Sequence, residues 1–64
     1  MDPKKFAGSI IFESDLPHDF PKEKVPEVVD GAIWLEKIEV TKDERQAIID
    51  AVIELLPIEG WNKQ

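Results

Sequence analysis

Apolar and polar positions divide the chain into four stretches. Residues 6–13, FAGSIIFE, form a short apolar run rich in Ile and Phe that ends at a polar, proline-bearing stretch, and they read as a strand. Phe6, Gly8, Ile10 and Phe12 alternate with Ala7, Ser9, Ile11 and Glu13, so both sides of that strand are apolar enough to be covered. Residues 14–27 break the pattern. Pro17, Pro21 and Pro26 bias the residues before them away from the α region, which predicts an ordered loop. Leu16, Phe20 and Val25 are its expected anchors to the core. A turn of helix beginning at Pro21 or Pro26 is compatible with this, because proline suits the first helical position.

Residues 28–40, VVDGAIWLEKIEV, hold two periodicities. Asp30-Gly31 between apolar pairs is a hairpin signal, and Val and Ile favour extended structure. A helix would instead gather Val25, Val28, Val29, Ala32 and Leu35. It would also put Glu36 in that stripe, leave Trp34 outside it and place Gly31 in the interior. Residues 33–40 therefore read as strand, with helix as the alternative. Residues 42–56 read as helix. Thr41 with Glu44 three residues on makes a capping box, Asp43 and Glu44 suit the positive helix end, and Pro57 marks the stop. Ile58 and Trp61 are expected to fold back from the tail, residues 57–64. The resulting fold class is α+β: one domain over residues 1–64, with a two- or three-stranded antiparallel sheet and one C-terminal helix packed on it.

That helix carries an unusually broad apolar surface. At ~100° per residue, Ile48, Ile49, Ala51, Val52, Ile53, Leu55 and Leu56 span an arc of roughly 200°. A surface helix ordinarily needs a stripe only somewhat wider than ~100°. One sheet face does not cover the excess. The loop over residues 16–29, a second copy of the chain or a different protein would have to. A chain of 64 residues buries little of its own surface, which favours a homodimer more than usual.

Composition narrows the function classes. Fourteen acids against eight bases leave a net charge of −6, with no basic stripe of the kind that nucleic-acid binders show. Anionic membranes are disfavoured for the same reason. No apolar stretch approaches a membrane span, and the run after Lys4-Lys5 ends in acids where a signal peptide has a cleavage site. There is no cysteine, which suits a reducing cytoplasm and removes disulfides and thiolate metal sites.

Candidate chemistry is sparse. Asp15, His18 and Asp19 make a single D-x-x-H-D set with no repeat elsewhere, too little for a metal assignment. With no Cys or Tyr and few hydroxyls, no nucleophile has an evident base. The three glycines are scattered, so no phosphate-cradling loop exists. The chain reads as a non-enzyme with no cofactor. Asp15, Asp19, Glu23 and Glu27 recur every four residues, as an acidic working surface or as solvated loop positions. Trp34 reads as core, and Trp61 as core or interface.

These observations favour a non-catalytic, acidic protein-binding module, a regulator or inhibitor docking on a larger protein with a basic surface. Its candidate contacts are Asp15, Asp19, Glu23, Glu27, Ile49, Ile53, Leu56 and Trp61. A second reading rests on layout. If residues 26–38 are helical, one strand followed by two helices over residues 6–56 resembles the ribbon-helix-helix regulators and antitoxins. That resemblance implies an obligate dimer whose strands enter the major groove. It carries no specific motif, and Ala7, Ser9, Ile11 or Gly8, Ile10 are poor readers of base edges. A third reading is mimicry of nucleic acid by the acids at 13, 15, 19, 23, 27 and 30, against which Lys22 and Lys24 count.

Overall fold

Asp2 and Pro3 start the first helix. The structure is a computed structural model and describes residues 1–59. The Asp2 carboxylate accepts from the Lys4 N–H at 3.1 Å and the Lys5 N–H at 3.4 Å, and Pro3 sits in the first turn. Helix α1 spans Pro3–Glu13. The expected strand over 6–13 is therefore a helix. Phe6, Ala7, Ile10 and Ile11 recur at helical spacing, and burying that stripe outweighs the β preference of the isoleucines. Ala7, Ile10 and Ile11 are all buried.

The first helix stops without glycine. Asp15 adopts left-handed backbone at φ 57°. Its N–H reaches the Phe12 carbonyl at 3.3 Å, and the Leu16 N–H reaches that of Ile11 at 3.1 Å. This is a Schellman motif, and the buried pair Leu16 and Ile11 supplies its apolar contact. Leu16 and Val25 are buried and Phe20 is partly so, as expected of the loop's anchors. The loop is shorter than expected. A 3₁₀ turn forms at Lys22–Lys24, and helix α2 spans Val25–Glu36 with Pro26 in its first turn.

Helix α2 replaces the expected strand or hairpin over 28–40. Val25 and Val29 are fully buried, and that gain outweighs a glycine in the helix interior. Asp30-Gly31 makes no turn. The helix ends in a second Schellman motif. Lys37 stands at φ 55°, its N–H 3.2 Å from the Trp34 carbonyl, and the Ile38 N–H is 3.4 Å from that of Ile33. Trp34, expected in the core, is 77% exposed.

Helix α3 spans Lys42–Glu59. Its capping box is formed as expected. The Glu44 N–H donates to Thr41 Oγ1 at 3.0 Å, and the Thr41 N–H to Glu44 Oε1 at 2.8 Å. The helix continues past Pro57 rather than stopping before it. Pro57 is exposed and close to the helix end, so its ring forfeits only the bond to the Ile53 carbonyl.

Among the described residues there is no strand, and the architecture is three helices around one core. The expected α+β class is overturned, and with it the strand on which the ribbon-helix-helix resemblance rested. Helix α3 packs chiefly on α1 and less on α2, while α1 and α2 touch each other little. Two neighbours at different azimuths explain the broad apolar arc of α3. Ile48, Ile49, Ala51, Val52 and Leu56 are buried, and Ile53 and Leu55 pack against them.

Candidate docking surface

Because α1 and α2 splay apart over α3, they leave a groove between them. Its volume is about 470 Å³. One wall is a single face of α1, with Phe6, Ser9, Ile10 and Glu13 at helical spacing. The opposite wall is a single face of α2, with Val28, Gly31, Ala32, Leu35 and Glu36. Buried Ile10 and Leu16 floor it; Leu35 and the two glutamates stand exposed at its edges. Leu35 also borders a shallower hollow of about 520 Å³ beside Ile33, Trp34 and Ile38.

Exposed apolar residues are concentrated here. Trp34 and Leu35 are 77% and 72% exposed and consecutive, whereas Met1, Phe12 and Ile58 lie apart along the chain. Scattered exposed apolar residues need no explanation, but an adjacent pair, Leu35 bordering both hollows and Trp34 the second, marks a candidate interaction site.

The charges around the groove are one-sided. Glu13 and Glu36 line it, and no base does. Each is the last residue of its helix, and neither helix has a basic residue in its last turn. Carboxylates at that end oppose the helix dipole, which favours cations there. On its other flank α2 is tied to α3. Asp30 accepts from Arg45 Nε at 2.6 Å and from its terminal nitrogen at 3.0 Å, a two-point contact that holds the Asp30 carboxyl below its ordinary range and raises Arg45. The Glu44 carboxyl is likewise lowered, by the Thr41 N–H and then the Thr41 hydroxyl.

The residues singled out from the sequence fall on several elements. Asp15 is the left-handed stop of α1, Asp19 lies in the loop, Glu23 in the 3₁₀ turn and Glu27 in the first turn of α2. All four are exposed; Glu23 and Glu27 lie four residues apart in continuous helical turns, and Asp15 and Asp19 precede them at the helix stop and in the loop. Ile49 and Leu56 belong to the core and Ile53 packs against it, so the chain's own helices occupy that flank. Trp61 lies outside the described residues. Asp15, His18 and Asp19 form no ligand cluster; among the described residues no group of three such side chains is placed to hold a metal.

The groove itself was missed. Its signal was present: Asp2-Pro3 is a helix start, and Phe6, Ile10 and Glu13 have helical spacing. Reading 6–13 as a strand removed one wall. Comparison of the chain with protein-family models, with curated proteins and with solved structures yields no match, so none of them assigns it to a family.

Proposed function

We propose that the chain is a non-catalytic protein-binding module, a cytoplasmic regulator or inhibitor that acts by docking on another protein. The observation that carries this reading is the exposed pair Trp34 and Leu35, of which Leu35 stands at the edge of an apolar groove and Trp34 lines the shallower hollow beside it. Tryptophan is enriched at interface hot spots, and apolar residues at such a site gain most from burial. The surroundings agree with it. No polar or charged residue is buried among the described ones, so no titratable group sits in a desolvated cleft of the kind that tunes acid–base catalysis. No described helix is long and apolar enough to cross a membrane.

Position-specific photo-crosslinking tests the reading in cells that make the protein. A photoreactive residue at position 35 should form an adduct with a different protein, and the same residue at position 43, on the exposed start of α3, should not. Equal adducts from both positions, or none from position 35, would refute docking through this face.

A further inference from the structure

Gly31 has no structural reason to be glycine. It lies inside α2, its φ is not positive, and a Cβ built on it meets nothing within 4 Å. Glycine in a helix interior nevertheless costs about 1 kcal/mol relative to alanine. Unexplained local penalties concentrate at functional sites. A missing side chain on a groove wall permits one thing a methyl group would hinder, the close approach of another backbone.

The groove's length matches two turns of a helix. Phe6 to Glu13 on α1 and Val28 to Glu36 on α2 each run about two helical turns, roughly 10–12 Å at 1.5 Å per residue. Two walls of that length accept apolar side chains at i, i+3 or i+4, and i+7 of a third helix, the helix-in-groove mode of recognition.

The charges select the occupant. The charged residues that line the groove are Glu13 and Glu36, while Asp30 is paired with Arg45 on the other flank of α2. A second copy related by two-fold symmetry would set α2 against α2 and acid against acid, each chain bringing a net −6. A helix with basic residues beside its apolar stripe meets Glu13 and Glu36 with opposite charge. It also supplies a cation at the end of α1, which has no base in its last turn.

We infer that the α1–α2 groove receives an amphipathic helix of a partner protein, with Lys or Arg flanking its apolar stripe and Gly31 at the closest approach. This rests on the protein-docking reading above and specifies the partner's chemistry.

A phage-displayed library of helical peptides of roughly 18 residues, five turns, randomised in stripe and flanks, is selected on the intact protein. Enriched sequences should be amphipathic and basic. Binding of an enriched peptide, followed by fluorescence anisotropy, should weaken at least about tenfold in Gly31→Leu, which puts a side chain into open space at the interface, and less in Gly31→Ala. Both variants should melt no lower than the wild type, which separates blocked binding from unfolding. Glu13→Lys with Glu36→Lys should lose affinity for the basic peptide and gain it for the same peptide with Glu flanks. Enrichment of acidic helices, unaltered by the double charge reversal, would overturn the basic partner and leave docking intact. Unchanged affinity in Gly31→Leu, or no enrichment at all, would overturn the groove. Concentration-dependent dimerisation that Gly31→Leu abolishes would overturn it in favour of a second copy.

Discussion

Helices α2 and α3 share one core and begin by opposite local rules, although neither has a base in its last turn and α3 runs through Pro57. Helix α3 begins with a reciprocal capping box, carries Asp43 and Glu44 where the dipole favours them, and turns its apolar arc inward. Helix α2 begins at Lys24 with no side-chain cap, carries Gly31 in its interior, ends on Glu36 and stops through Lys37 in a left-handed conformation. It also leaves Trp34 and Leu35 in solvent. Where local preference, charge and burial agree, an element specifies the fold; where they conflict, another requirement is acting on it. Here α3 is the frame, and α2 is the surface built on that frame.

The sharpest way to break this contrast is truncation on each side. Ile48 is fully buried on α3. Ile48→Ala should cost about 2–5 kcal/mol, a large fraction of the whole stability of a small domain. Leu35→Ala, at a side chain 72% exposed, should stay within about 0.5 kcal/mol. Urea unfolding followed by far-ultraviolet circular dichroism measures both. Comparable losses would mean that Leu35 is held by the fold and is not offered to a partner.

How far the sequence foretells this architecture depends on whether a local signal was decisive. Thr41, Asp43 and Glu44 specify a helix start by chemistry confined to one turn, and α3 formed there as read. The loop anchors Leu16, Phe20 and Val25 were legible because prolines isolate them. Residues 6–13 were not. Their isoleucines and phenylalanines suit strand or helix alike, and only the neighbouring α3, far along the chain, decides between them. Nor did the stops at Asp15 and Lys37 announce themselves, since a left-handed residue at a helix end is usually glycine. For α2, the features weighed against a helix were Gly31 inside it, Glu36 in its stripe and Trp34 outside. The structure contains all three: Gly31 and Glu36 line the groove, and Trp34 lines the hollow beside it. The acids at 15, 19, 23 and 27 are evenly spaced in the sequence but lie on a helix stop, a loop, a 3₁₀ turn and the start of α2.

The ends of the two helices sharpen the comparison at smaller magnitude. Thr41→Ala removes the acceptor for the Glu44 N–H and should cost about 1 kcal/mol. Lys37→Gly acts in the opposite direction. A lysine at φ 55° carries strain that glycine does not, so this change should stabilise by about 0.5–1 kcal/mol, net of the greater freedom glycine gives the unfolded chain. Thermal unfolding of the pair checks the signs. A loss in both variants would show that α2 is already optimised at its stop and would remove the asymmetry between the helices.

The smallest effect concerns protons. Hydrogen bonds from the Thr41 N–H and then its hydroxyl lower the Glu44 carboxyl, and Arg45 lowers Asp30. A carboxyl with a depressed folded-state value binds its proton more weakly when folded than when unfolded. Its stabilisation is therefore present above the ordinary carboxylate range, about pH 4, and is lost as pH falls through the lower folded value. Both groups are exposed, so the effect is modest and screened by salt. Acidification also relieves the repulsion of a chain at net −6, which works the other way. A control separates the two. Glu44→Gln and Glu39→Gln each remove one exposed acid, but only the first removes a cap. Between neutral pH and pH 3, the wild type and Glu39→Gln should lose more stability than Glu44→Gln, whose glutamine keeps a neutral acceptor for the Thr41 N–H. Parallel acid profiles for all three would mean that the capping box of α3 contributes geometry alone, and that its charge does no more for α3 than Glu36 does at the far end of α2.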